Sequence, residues 1–118
     1  MNVSQPLIQS SLIGEAIDGG PLLVFVADEE MQYVAVNDYA CTVLGYSREE
    51  LLGMSVPDVT VGPGVQKTYR AFLRAGEMAG TVVLRHRDGT ELPFAYRARE
   101  TTVAGMTLYV SAGWIEPA

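Results

Sequence analysis

Val36-Asn37-Asp38-Tyr39-Ala40-Cys41-Thr42-Val43-Leu44-Gly45-Tyr46-Ser47-Arg48-Glu49-Glu50-Leu51-Leu52-Gly53 decides the fold of this chain. Asn37 closes a β-branched run and carries a side chain that accepts from the free backbone N–H groups of a helix start. Gly45 supplies the left-handed residue that stops such a helix, so one short helix is expected from Asp38 to about Leu44. Ser47 then stands three residues before Glu50, the spacing of a capping box, and Leu51, Leu52 and Gly53 close a second helix of about two turns. A strand that feeds two small, separately capped helices is an uncommon local design.

Upstream, Leu7, Ile8, Leu12, Ile13, Ala16 and Ile17 form a rough helical stripe after a frayed start at residues 1–6, and Gly19-Gly20-Pro21 ends it. Leu22 to Ala27 is apolar on both faces and reads as a central strand; Asp28-Glu29-Glu30 turns it into a second strand from Gln32 to Val36. Downstream, Ser55 to Thr60 has room for one helical turn at most, and Gly62-Pro63-Gly64 breaks the chain. Val65, Tyr69, Phe72 and Leu73 then share one face of an amphipathic helix over 65–75. From Gly80 onward the pattern is that of strands: Thr81 to Arg87, Glu91 to Glu100 and Met106 to Trp114. Asp88-Gly89 is a primed-turn signal in which both central residues take positive φ, and Ala104-Gly105 plays a similar role. Leu92, Phe94, Tyr96 and Ala98 alternate onto one strand face, which needs a helical lid. The fold class is α+β, with helices over one face of an antiparallel sheet.

The paired capped helices, followed far downstream by Leu84-Arg85-His86-Arg87-Asp88-Gly89-Thr90-Glu91-Leu92-Pro93-Phe94, resemble the PAS family of sensory domains from Ile17 to Trp114. The resemblance implies a five-stranded sheet in the order 2-1-5-4-3, with residues 1–20 as an N-terminal helix and 21–116 as the PAS domain. It also implies a pocket between sheet and helices that holds haem, flavin, another chromophore, a metabolite, or side chains alone. Phe25, Tyr39, Val43, Leu44, Val59, Tyr69, Phe72, Leu84, Phe94, Tyr96 and Tyr109 are the expected wall, and each would look the same in a filled core. Tyr39 stands where the family usually has alanine, so its phenol either fills the pocket or aims a hydroxyl at a ligand. Asn37 is expected to be the cap and hinge between strand and helix.

Each family cofactor makes its own demands. The flavin-binding light sensors carry Asn-Cys-Arg-Phe-Leu-Gln after the second capped helix, where this chain reads Ser55-Val56-Pro57-Asp58-Val59-Thr60, without a cysteine. Cys41 lies on the earlier helix and reads as a small buried hydrophobe. Haem-binding members use a histidine from the long helix, which has none here; His86, beside a turn, reads as a surface residue, and Met54 and Met78 have no spacing argument as ligands. Flavin–cysteinyl photochemistry and haem are therefore disfavoured, no cofactor is the expectation, and a haem sensor stays only as an alternative. No phosphate cradle, nucleophile elbow or histidine–acid pair is found, so the chain does not read as an enzyme. The competitor of a different class is a small α+β cone enzyme with a buried Asp base, for which Asp38 and Asp58 are the candidates.

Composition narrows the partners. Of the 118 residues 48% are hydrophobic and 19% charged, which argues against disorder and for one domain. A net charge of −6, from 14 acidic and 8 basic residues, repels phosphate backbones, so no nucleic-acid partner is expected. The longest apolar run, Pro21 to Ala27, is too short for a membrane span, and a cytoplasmic protein is expected. One cysteine and one histidine cannot build a zinc site, so no metal is expected. Leu7, Leu12, Ile13 and Ile17 have no local burial partner except another chain or the outer sheet face, where Val83, Ala95, Met106, Leu108 and Val110 gather; a homodimer is expected, with fold-back of the helix as the other option. Many PAS domains leave their last strand through an Asp-Ile-Thr-like motif into a coiled coil. Here Ala112-Gly113-Trp114-Ile115-Glu116-Pro117-Ala118 has no such motif, so a free-standing sensor and one fused to an effector both stay open, and Trp114 is the candidate coupling residue. The expected function is a sensory module that binds a small, mostly apolar ligand or pairs proteins, with a cofactor-free interaction module as the alternative.

Overall fold

In the computed structural model, which describes residues 5–62 and 64–117, the local signals around Asn37 hold closely. Helix α1 runs Gln5–Asp18, strand β1 Leu23–Ala27, strand β2 Tyr33–Val36, helix α2 Asp38–Leu44 and helix α3 Arg48–Leu52. Then come helix α4 at Val56–Val59, strand β3 at Thr60–Val61, helix α5 at Val65–Ala75, and strands β4 at Glu77–Arg85, β5 at Glu91–Val103 and β6 at Met106–Ile115. Of the expected frayed start, residues 1–4 lie outside the described residues, while Gln5 and Pro6 already belong to α1. Asn37 caps α2, Gly45 ends it at φ 79°, and Ser47 with Glu50 forms the reciprocal capping box of α3. Gly45 is required twice over, because a Cβ there would also meet the His86 ring at 2.6 Å.

Among the described residues the sheet has six antiparallel strands in the order β2-β1-β6-β5-β4-β3, where five were expected. The addition is β3, whose Thr60 and Val61 pair with Leu84 and Val83 at the edge. Without it the order is the expected one. Strand β4 starts at Glu77, earlier than expected, because left-handed Gly76 ends α5 and turns the chain directly into the sheet. Gly80, just before the expected start at Thr81, pairs with Tyr96 inside the strand.

Of the two turns expected to be primed, only Ala104-Gly105 is. Gly89 takes positive φ while Asp88 does not, and His86 and Thr90 bracket a three-residue loop closed by Gly89 N–H donating to His86 O at 2.9 Å. That is a type I turn followed by a left-handed residue, the usual solution for this loop length. The primed turn is Ala104-Gly105, with φ of 52° and 78° between the paired residues Val103 and Met106.

One core packs α2, α3 and α4 onto β1 and β2 through Leu23, Phe25, Val36, Ala40, Leu44, Leu51 and Val59. A second, under α5, gathers Phe72, Ala98 and Tyr109. Gly113 sits where a Cβ would collide with the Ala95 carbonyl, so the chains of β5 and β6 approach closely there. Helix α1 stays apart: Ile8, Leu12, Ile13 and Ile17 are 42–60% exposed, so it does not fold back onto its own sheet. The side chains of Leu7 and Val65 lie outside the described residues. Among the described residues no helix is long and apolar enough to cross a membrane.

Candidate functional site

Alternation along β5 sends Leu92, Phe94, Tyr96 and Ala98 toward the helices, and pairing brings Leu84, Val82 and Met78 of β4 and Ser111 of β6 to the same face. Helix α5 lays Tyr69 and Phe72 across the far end of that face, and α4 closes beside it through Val56. The space left between is a cavity of about 340 Å³ touched by all six strands and by α4 and α5.

The cavity wall is largely aromatic. Phe25 meets Phe94 edge to face at 5.7 Å, and Phe94 and Tyr96 lie parallel at 5.8 Å along β5. Tyr69, Phe72 and Tyr109 form a triangle of tilted rings at 5.0 to 5.9 Å. Tyr33 closes the β2 side and Ser111 stands on β6, while Thr60, Val61, Gly64 and the exposed Thr68 form the rim between β3 and α5. Among the described residues no Asp, Glu, Lys, Arg or His belongs to the wall. Burial, reinforced by the neighbouring Tyr69 and Asp58, pushes the Tyr33 phenol far above its ordinary range; burial with Tyr109 and Asp28 does the same to Tyr69. Burial also raises Tyr96 and Tyr109. All four phenols are therefore neutral at physiological pH. Tyr69 spends its hydroxyl on the Asp28 carbonyl, donating at 3.0 Å.

Of the residues expected to line a pocket, Phe25, Tyr69, Phe72, Leu84, Phe94, Tyr96 and Tyr109 meet at this cavity. Tyr39, Val43, Leu44 and Val59 do not: Leu44 and Val59 are wholly buried in the solid core beneath α2, α3 and α4, and Val43 packs against it. The Tyr39 ring lies against Gly20, where a Cβ would meet it at 2.6 Å. The expected wall is thus corrected: α2 packs flat on β1, and the space opens further along the sheet, under α4 and α5. Tyr33, Thr68, Met78, Val82 and Ser111 were missed. Alternation and strand pairing point to Met78, Val82 and Ser111, whereas Tyr33 and Thr68 leave no comparable trace in the sequence.

A second constellation joins α1 to the domain. Asn37, 7% exposed, accepts at Oδ1 from Val24 N–H at 2.9 Å and Ala40 N–H at 3.1 Å. Its Nδ2 donates to the carbonyls of Ile17 and Leu22, both at 2.8 Å. One side chain thus holds the end of α1, the start of β1 and the start of α2. Beside it Asp38 N–H donates to Asp18 Oδ1 at 2.8 Å, and Arg48 donates to Asp38 at 2.6 Å, to Asp18 at 3.4 Å and to the Val36 carbonyl at 3.3 Å. The hydrogen bonds from Asp38, with Arg48 close by, hold the Asp18 carboxyl below its ordinary value. Sequence reading found Asn37 as a cap and missed Asp18 and Arg48.

The residues weighed for other chemistry lie elsewhere. Asp38 and Asp58 are exposed, the first paired with Arg48 and the second accepting from Ser55 N–H at 2.8 Å. Cys41 is half-buried on α2, His86 rests against Gly45, and neither lines the cavity. Among the described residues no cluster of His, Cys, Asp or Glu is placed to hold a metal. Trp114 is 52% exposed on the outer face of β6, opposite Ala95. Met106 is exposed on that face while Leu108 and Ala95 are buried.

A family model described as PAS domain matches residues 21–110. The chain belongs to the PAS domain family. Among solved structures it is similar to a PAS domain from a two-component sensor histidine kinase, with a TM-score of 0.82, 17% identity, and coverage of 95% of this chain and 100% of that one. The PAS domain of an HTR-like protein from Haloarcula marismortui gives a TM-score of 0.82 at 19% identity, covering 96% of both chains. A domain of the sensory box sensor histidine kinase/response regulator from Geobacter sulfurreducens gives 0.75 at 20%, covering 94% of this chain and 98% of that one. Identities this low speak for the fold. No curated protein matches the chain.

Proposed function

We propose that this chain is a non-enzymatic sensory module, in which a small ligand in the cavity alters how α1 pairs with a second copy of the chain. The observation that carries the reading is the aromatic cavity of about 340 Å³, in a domain whose N-terminal helix is fastened through Asn37, Asp18 and Arg48. Its solved neighbours include PAS domains of sensor histidine kinases, which supports a fused effector or signalling partner protein for this one. The exposed Leu12, Ile13 and Ile17 of α1 support a homodimer. The cavity wall suits neither a flavin–cysteinyl adduct nor a histidine-ligated haem, since Cys41 and His86 stand away from it. The net charge of −6 keeps nucleic acid off the list of partners, and a cytoplasmic location belongs to the same proposal.

Ligand and pairing are linked only if the ligand prefers one state of the dimer. Replacing Ala98, which lines the cavity, by leucine fills part of the space and imitates occupancy. Sedimentation equilibrium is expected to find a dimer that Leu12→Glu with Ile13→Glu dissolves, and whose dissociation constant Ala98→Leu shifts about fivefold or more. A monomer, or a constant indifferent to Ala98→Leu, overturns the coupling.

A further inference from the structure

The chemistry of the wall narrows the occupant, on the reading that this cavity is a ligand site. We infer that the cavity takes an uncharged ligand built on two fused or linked aromatic rings, carrying at most one or two neutral polar groups. Size gives the ring count. An apolar protein cavity of about 150 Å³ holds one benzene ring, and the space here, about 340 Å³, is somewhat more than twice that. A porphyrin-sized group does not fit without displacing the wall, and a diatomic gas leaves most of it empty.

Charge gives the second restriction. Among the described residues the wall offers no ion to pair with a charged ligand, so a carboxylate or ammonium entering it loses hydration without compensation. The hydroxyls of Ser111 and Tyr96 both donate and accept, so a phenol, an indole N–H or a ketone finds a partner there. Ring shape follows from the neighbours. Phe94 and Tyr96 lie parallel while Tyr69, Phe72 and Tyr109 stand edge to face, and both arrangements extend favourably to a flat aromatic guest.

Isothermal titration of the full chain with 1-naphthol, naphthalene-1-carboxylate and 1-naphthylmethylammonium tests this, beside Ala98→Leu and Ser111→Leu variants whose fold is checked by circular dichroism. 1-Naphthol is expected to bind once per chain, on the order of 100-fold more tightly than either ion, and at least about tenfold more weakly to a folded filled variant. Ions that bind within threefold of the naphthol, filled variants that bind it equally, or a naphthol that does not bind overturn the inference. If naphthol fails while the dimer constant still responds to Ala98→Leu, only the ligand class falls. If both fail, the sensory reading falls with it.

Discussion

Asn37 concentrates in one side chain much of what this molecule needs to act as a unit. Its amide uses two acceptor and two donor contacts to backbone groups in three parts of the chain, the end of α1, the start of β1 and the start of α2. Asn37→Ala leaves the N–H groups of Val24 and Ala40 and the carbonyls of Ile17 and Leu22 to find other partners, and is expected to cost about 3 kcal/mol in urea denaturation; a loss below about 1 kcal/mol would show that water replaces the amide. The cap role was legible, because it follows from a short polar residue between a β-branched run and a stopped helix. The grip on α1 was not, since it spans twenty residues and depends on where Gly19 and Gly20 lead the chain. A second residue-scale test concerns Ala104, which sits at φ 52°, where a Cβ is unfavourable. Ala104→Gly is expected to raise stability by about 1 kcal/mol, measured as a higher urea midpoint at unchanged slope; a lower midpoint would mean that the turn draws on contacts of the methyl group.

Elements were legible where their signals are local and obscure where they depend on partners. Helices α2 and α3 carry their own starts and stops, so their caps at Asn37, Gly45, Ser47 and Gly53 could be read from the sequence. Strand β3 has two residues and no period to detect; it exists because β4 offers an edge at Val83 and Leu84. The cavity followed the same division: alternation in β5 placed Phe94 and Tyr96, but whether α2 or α5 leaves room above them is settled by three-dimensional packing alone. The joint between α1 and α2 also belongs to this scale. Asp18 there is held below its ordinary value of 3.8, so its contribution is present above that value and is lost as the pH falls through the lower native one. Protection factors of α1 amides, taken relative to the intrinsic exchange rate at each pH, are expected to fall in the wild type on acidification through this range, and to be already low and flatter with pH in Asp18→Asn. Equal pH dependence in the two proteins would remove Asp18 from the joint.

For the whole molecule, fold and site point the same way. The family fold places a sheet beneath a lid, the particular sequence leaves an uncharged aromatic space between them, and α1 stands out from the domain with its apolar residues uncovered. The cavity residues and the Asn37 joint both rest on β1, through Phe25 and Val24, which gives cavity and helix a shared mechanical element. Acidic composition and short apolar runs are properties of the sequence itself, whereas the size of the cavity follows from the summed packing of six strands and two helices. The measurement that bears most directly on the central claim is native mass spectrometry of freshly purified protein, beside its visible absorption spectrum and beside Ala98→Leu. The expected result is a dimer carrying a small, colourless extra mass that is reduced or absent in the filled variant. Bare polypeptide mass in both proteins, or a bound species that Ala98→Leu does not displace, would contradict it and leave a module that works by protein contact alone.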